Sequence, residues 1–190
     1  MTGVQTCALP ILEPRTLEEV RQFVGNGAAN LISRAVDGRA DEAAVLGTFR
    51  DYYNVHCQIK TRAYPGVPEA LEELGRKYSM AIVSNKPDSA VKPLCAQYFP
   101  GIYALGERAD CPRKPAPDMV FKAMADIGVE TCIYVGDSEV DVATAKNAGV
   151  KCLSVLWGFR DRAVLAHAGG RYFCEETSRL VEKLEDLIHG

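Results

Sequence analysis

Asp137 and Asp141 are the residues of this chain best placed to do chemistry. They close the run Cys132-Ile133-Tyr134-Val135-Gly136-Asp137-Ser138-Glu139-Val140-Asp141, which reads as a buried strand that stops at a glycine and passes at once into a helix. An α/β sheet holds its ligands at the carboxyl ends of its strands. Asp137 stands at that edge and Asp141 one helical turn later, so both acids can face the same point. Two nearby carboxylates repel each other unless a cation lies between them. Hard oxygen ligands at a strand end suit a magnesium ion that also carries a phosphate. The structural alternative makes Asp137 a helix N-cap, with Glu139 and Asp141 favouring the first turn.

Two other loops offer groups for an anion. In Ser84-Asn85-Lys86-Pro87 a hydroxyl and backbone N–H groups at a helix start can hold phosphate oxygens. The plainer reading is a Ser/Asn turn with Asp88 capping the next helix. In Arg113-Lys114-Pro115-Ala116-Pro117-Asp118 a lysine stands among prolines that stiffen the loop and disfavour helix before Pro117. Held near a strand edge, Lys114 would neutralise a phosphate or a carboxylate. Its alternative is an ordinary solvated lysine.

The elements that must position these loops follow from periodicity. From Thr16 to His56 the apolar spacing is helical throughout, at Leu17, Val20, Phe23/Val24, Leu31/Ile32, Val36, Val45/Leu46, Phe49 and Tyr52/Tyr53. Gly25-Asn26-Gly27 and Asp37-Gly38 break this stretch into three helices. From Pro65 the texture changes to alternating helix and strand. Helix 67–77 leads to strand 79–84, helix 88–98 to a short strand at 102–105, and helix 117–127 to strand 132–136. Helix 139–148 then leads to strand 151–156, with a last helix near 176–188. Short apolar strands separated by helices imply a parallel sheet with right-handed crossovers, hence an α/β fold.

Bulk properties narrow the partners. Of 190 residues, 47% are hydrophobic and 25% charged, with a net charge of −3, which is globular composition with no basic stripe for nucleic acid or an acidic membrane. Seven cysteines without C-x-x-C or zinc-like spacing read as reduced thiols in the cytoplasm. His56, His167 and His189 are isolated and are read as non-ligands. No apolar run has the length of a membrane span, and the first twelve residues lack the pattern of a signal peptide.

In their order along the chain, these loops resemble the haloacid dehalogenase superfamily, in its phosphoglycolate phosphatase-like branch with a small helical cap. Val83-Ser84-Asn85-Lys86 is similar to the second motif of that superfamily, Lys114-Pro115-Ala116-Pro117-Asp118 to its third, and Val135 to Asp141 to its fourth. Supporting stretches are Phe23-Val24-Gly25-Asn26-Gly27, Tyr64-Pro65-Gly66-Val67 and Val155-Leu156-Trp157-Gly158-Phe159-Arg160. The resemblance implies a Rossmann-like core with a small all-helical cap, magnesium as cofactor and a small phosphorylated metabolite as substrate. It implies that Ser84 binds the transferring phosphoryl group with the Asn85 backbone. Lys114 would stabilise charge on the nucleophile and phosphate. Asp137 would ligate the metal, and Asp141 would support the metal site or pair with Lys114. Gly25, Asn26 and Gly27 become candidates for the substrate entrance of a cap that closes to exclude water. Pyrophosphate, a nucleotide monophosphate or a sugar phosphate are alternative substrates, and a phosphate- or partner-binding protein without catalysis is the reading from a different class. Oligomeric state stays open.

One part of the resemblance is absent. The first motif of the superfamily, Asp-x-Asp-Gly-Thr on the central strand, supplies the nucleophile that forms an aspartyl-phosphate and the general acid/base. This sequence contains no such run, and Glu13 is its only acid before Glu18. Residues 1–11, Met-Thr-Gly-Val-Gln-Thr-Cys-Ala-Leu-Pro-Ile, resemble instead a translated sequencing adapter. The expected organisation is therefore a non-native segment at 1–12, a partial helical cap at 13–60 and the α/β core at 61–190. The resemblance implies that the missing strand lies between those at 79–84 and 132–136. Its loss would open the middle of the sheet, so the chain is expected to be poorly stable and inactive.

Overall fold

The structure, a computed structural model, describes residues 13–24 and 27–190. The adapter-like segment, Gly25 and Asn26 lie outside the described residues. The chain divides between residues 61 and 62 into two units. The first holds three helices, α1 (Leu17–Phe23), α2 (Gly27–Val36) and α3 (Glu42–His56). Thr16 and Glu19 form a reciprocal capping box at the start of α1. The Asp41 carboxylate accepts from the Ala43 and Ala44 N–H groups to start α3. Asp37 and Gly38, both with positive φ, make the turn between α2 and α3. Ile32, Val36 and Val45 bury their side chains together, flanked by Leu31, Leu46 and Phe49. Leu17 and Tyr52, expected on the apolar faces, are exposed instead. A unit of three short helices has too little interior to cover every apolar position of its periodic pattern.

The second unit alternates as the sequence predicts. Its elements are α4 (Val67–Gly75), β1 (Ala81–Pro87), α5 (Asp88–Tyr98), β2 (Tyr103–Glu107), α6 (Asp118–Ile127), β3 (Ile133–Gly136), α7 (Glu139–Ala148), β4 (Lys151–Val155), α8 (Arg162–His167), β5 (Tyr172–Cys174) and α9 (Leu180–His189). All the strand pairings within these elements are parallel, β1 with β2 and β3 with β4 with β5. Leu153 and Val155 of β4 point to one face, where Ala70 and Leu74 of α4 and Leu180 and Leu184 of α9 cover them. Tyr134 of β3 points to the other, against Val120 of α6 and Ala145 of α7. Helices on both faces of a parallel sheet are what the fold class requires.

Among the described residues, β1 and β3 share no ladder of hydrogen bonds. They meet through side chains on one face, where Val83 of β1 packs into the cluster of Val120 and Tyr134. Two elements, α8 and β5, are additional to the expected set. Six and three residues are too short for a period to show in a sequence window. No helix among the described residues is long and apolar enough to cross a membrane.

β1 also runs three residues beyond its expected end. Val83 pairs with Leu105 and Pro87 with Glu107, so residues 84–86 stand opposite Gly106 alone. Such a bulge bends a strand and re-aims its side chains. The return of the bulge brings the α5 backbone onto β2. The Asp88 carboxylate accepts from the Gly106 N–H at 2.9 Å and pairs with Lys92. There is no room for a side chain at this crossing, since a Cβ on Gly106 would sit 2.6 Å from the Asp88 nitrogen and 2.8 Å from the Lys86 oxygen.

Gly106→Ala should therefore wedge β1 and α5 away from β2 and cost about 1–3 kcal/mol in chemical denaturation. Gly47→Ala, on an exposed stretch of α3 with open space at the Cβ position, should instead stabilise by about 1 kcal/mol.

Candidate active site

The bulge in β1 sets the first side chain of the site. It presents Asn85, buried, to the loop that carries Lys114. The Asn85 Nδ2 donates to the Lys114 oxygen at 2.9 Å, and its Oδ1 accepts from the Lys114 N–H at 2.8 Å. A side-chain amide carries one acceptor and two donors, so it can satisfy both backbone groups of one residue as a neighbouring strand would. From the other side, Asn147 of α7 donates to the Pro115 oxygen at 2.8 Å. The Lys114–Pro115 peptide is cis. Ser84 is half-buried beside this clamp, and its Oγ accepts from the Lys86 N–H at 3.2 Å.

With its backbone held, Lys114 reaches across to β3 and α7. Its Nζ lies 2.8 Å from Asp141 Oδ1 and 3.1 Å from the Tyr134 hydroxyl. Lysine and aspartate side chains are 13% and 8% exposed, so this is a buried ion pair and its geometry matters. Asp141 is correspondingly well supplied. Its Oδ1 also accepts from the Tyr134 hydroxyl at 3.2 Å. Its Oδ2 accepts from the N–H groups of Asp137 and Ser138 at 3.2 and 3.1 Å, and from Ser138 Oγ at 2.6 Å. Burial alone would push the Asp141 carboxyl up, but Lys114, Ser138 and the Asp137 N–H together hold it below the ordinary carboxylate value. The same burial, with Asp141 adjacent, pushes the Tyr134 phenol well above its usual range, so it stays a neutral donor. The ammonium has three donors, and the third meets no other described residue.

Asp137 lies at the end of β3 in the opposite situation. Its Oδ2 accepts one bond, from the Phe159 N–H at 2.8 Å, and its other oxygen accepts nothing from another described residue. Burial raises its carboxyl above the ordinary value and the neighbouring Asp141 charge raises it further, with the Phe159 N–H opposing both. Both carboxylates occupy space that glycines leave free. A Cβ on Gly136 would overlap the Asp141 carboxyl, and one on Gly158 would overlap that of Asp137.

Ser84, Asn85, Lys114, Asp137 and Asp141 thus all belong to segments at one edge of the sheet. The N-cap of α7 is Ser138, with Asp141 completing the capping box, so the alternative of Asp137 as the cap is overturned. Asp141 takes the second of its two expected roles, pairing with Lys114 and using both of its oxygens on protein donors. The Asn85 side chain, not only its backbone, belongs to the site. Tyr134, Asn147 and Ser138 were not singled out from sequence. A tyrosine inside a strand and an asparagine late in a helix carry no local signal, whereas Ser138 three residues before Asp141 fits the capping-box pattern. Of Gly25, Asn26 and Gly27, only Gly27 is described, and it begins α2 with a positive φ.

A half-buried carboxylate with one oxygen unengaged by any other described residue suits a hard divalent cation, so Asp137 fits as a magnesium ligand. The described residues contain no group of three His, Cys, Asp or Glu able to hold a metal, so they supply only part of such a coordination shell.

Asp141→Ala leaves the buried Lys114 ammonium unpaired and should cost about 3–5 kcal/mol in equilibrium unfolding. The pH dependence has two opposite signs. Asp141 is held below its ordinary value, so its contribution is complete above the unfolded carboxylate pKa of about 3.9 and is lost as pH falls through the lowered value. Asp137 is held above its ordinary value, so it costs nothing below about pH 4 and destabilises increasingly as pH rises through the raised value. Asp137→Asn should accordingly raise the metal-free unfolding temperature near neutral pH, and the advantage should vanish toward about pH 4. A thermal series over that range reads both effects. An asparagine variant no more stable than the parent at neutral pH would contradict the burial argument.

The haloacid dehalogenase-like hydrolase family model matches residues 4–155. The chain is 35% identical to the phosphoglycolate phosphatase of Pseudomonas fluorescens strain Pf0-1, over 94% of this chain and 68% of that protein. It is equally 35% identical to phosphoglycolate phosphatase 1 of Pseudomonas aeruginosa, over 92% of this chain and 66% of the relative. It therefore spans about two thirds of the length of these curated relatives. Among solved structures, a Lactobacillus delbrueckii protein whose proposed activity is phosphoglycolate phosphatase superposes with a TM-score of 0.83 at 33% identity, covering 90% of this chain and 83% of the other. A match to the family model over residues 4–155, a curated relative above 30% identity and a common fold agree: the chain belongs to the haloacid dehalogenase-like hydrolase family.

Proposed function

We propose that this chain carries the phosphate- and metal-binding part of a magnesium-dependent phosphomonoester hydrolase that acts on 2-phosphoglycolate. The observation that carries the proposal is the buried Lys114–Asp141 pair beside Asp137 at the strand edge. Asp141 fixes the lysine ammonium and leaves one of its donors for a phosphate oxygen. The Ser84 hydroxyl, presented by the same bulge that anchors Lys114, supplies a second donor. Asp137 keeps an oxygen for magnesium, which when bound neutralises charge on the phosphate and on the surrounding carboxylates. Lysine and serine then hold the phosphoryl oxygens in a partly dry setting, where each donor is worth more than in water.

Hydrolysis through an aspartyl-phosphate needs two further groups, a nucleophilic carboxylate and a second acid to protonate the leaving oxygen and then activate water. The sequence contains no Asp-x-Asp-Gly-Thr run to supply them. The proposal for the 190-residue polypeptide by itself is binding without turnover. The substrate rests on the relatives, several of which carry the name phosphoglycolate phosphatase at about 35% identity.

A panel of 2-phosphoglycolate, pyrophosphate, a nucleoside monophosphate and a sugar phosphate, each with and without magnesium, tests the reading. The chain alone should show no Lys114-dependent turnover. A version extended by the Asp-x-Asp-Gly-Thr strand and the cap helix that follows it should hydrolyse 2-phosphoglycolate fastest, only with magnesium. Lys114→Ala should lower that rate on the order of 10²–10³-fold. Absence of activity on every phosphomonoester would sink the phosphatase assignment, and preference for another ester would move the substrate.

A further inference from the structure

The loop after β4 lies against Asp137. Trp157 packs partly into the cluster formed with α4 and α9, but the Phe159 side chain is 42% exposed. Between them runs the Gly158–Phe159 peptide, whose N–H meets Asp137 Oδ2 at 2.8 Å. Gly158 is buried, and the Asp137 carboxyl fills the space its Cβ would need. The far end of this short stretch is fixed by charge. Arg160 Nε donates to Glu139 Oε2 at 2.7 Å and its Nη2 to Glu139 Oε1 at 3.2 Å. The Arg160 side chain is 11% exposed and that of Glu139 37%, so the fork is shielded on its arginine side, and its two-bond geometry is the stronger kind of ion pair. Glu139 is the first residue of α7, two positions after Asp137 itself.

We propose that the Arg160–Glu139 fork is a latch that positions Asp137. It ties the loop after β4 to the first turn of α7, holds the Phe159 N–H on one oxygen of Asp137, and so reserves the other oxygen for a divalent cation. Arg160 and Glu139 are positioning residues: they act through a backbone peptide and do not touch the cation. The cation half of the proposal rests on the metal reading of Asp137, and the latch half does not. The physical reason for a latch is the poor self-sufficiency of that contact. A backbone N–H to a carboxylate at the rim of a sheet opens easily unless its peptide is anchored on both sides, and Trp157 and the Arg160–Glu139 fork are anchors of that kind.

The test uses the full chain with Arg160→Gln, Glu139→Gln, the double variant and Asp137→Asn. Amide hydrogen exchange at Phe159, without metal, reads the latch directly. Arg160→Gln should speed that exchange about tenfold, and the double variant should be no faster than the single one, because both remove the same fork. Magnesium binding by calorimetric titration reads the consequence. Arg160→Gln should weaken it about tenfold, and Asp137→Asn should abolish it. Unchanged Phe159 exchange in Arg160→Gln, additive effects in the double variant, or exchange at the rate of an unstructured peptide in the unaltered chain would each overturn the latch. A chain in which Phe159 responds as expected but magnesium does not bind overturns the metal reading and the cation half alone.

Discussion

Burying the Lys114 ammonium against the Asp141 carboxylate is the interaction on which the rest of the site depends. Each ion costs several kcal/mol to remove from water, and their attraction offsets this only when hydrogen bonds satisfy the remaining lone pairs and protons. The chain meets that condition from three directions. Tyr134 comes from β3, Ser138 and the Asp137 N–H from the turn into α7, and the Lys114 backbone is fixed in turn by Asn85 from β1. A lysine side chain loses considerable freedom when it is held, and an already anchored main chain spares the separate cost of ordering the backbone that carries it. The two halves of the described sheet share no ladder among the described residues, and this polar assembly joins them at the carboxyl edge in addition to the packing of Val83 with Val120 and Tyr134.

The assembly also explains the placement of glycines at this edge. Gly136 ends β3 because the Asp141 carboxyl takes the volume of its side chain, and Gly158 stands in the loop after β4 for the same reason toward Asp137. The helix needs Asp141 at its third position to complete the capping box with Ser138, so the residue that receives Lys114 also starts α7. One side chain thus serves the local start of a helix and a long-range ion pair. A change at that position acts on both, and their energies cannot be separated by a single substitution.

Much of this was legible in the sequence, for reasons that differ by level. The alternation of helix and short apolar strand gave the parallel sheet, and the segments after strands that bear Ser84, Lys114 and Asp137 gave the candidate site, because a parallel sheet gathers all its carboxyl ends at one edge. Three things escaped. α8 and β5 are shorter than any window in which a period can be counted. The bulge at residues 84–86 is a property of pairing with β2, and nothing in Ser-Asn-Lys itself distinguishes a turn after a strand from a strand that bends. Tyr134 looked like one more apolar strand residue. Its hydroxyl matters only because Lys114 and Asp141 converge on it from 20 residues upstream and seven downstream.

The two acids that first drew attention differ in how the protein treats their charge. Asp141 is given a cation, a phenol, a hydroxyl and two backbone N–H groups, and its ionised form is favoured despite burial. Asp137, four residues away, is given one backbone N–H and a carboxylate neighbour, and its ionised form is disfavoured. Neighbouring groups pushed in opposite directions are a recognised mark of a working site. Here the division has a mechanical meaning. The described residues satisfy the acid that holds its own lysine, and offer one backbone N–H to the acid proposed to meet magnesium. A carboxyl held above its ordinary value opposes folding near neutral pH, and a cation bound there would relieve that opposition and gain affinity from it.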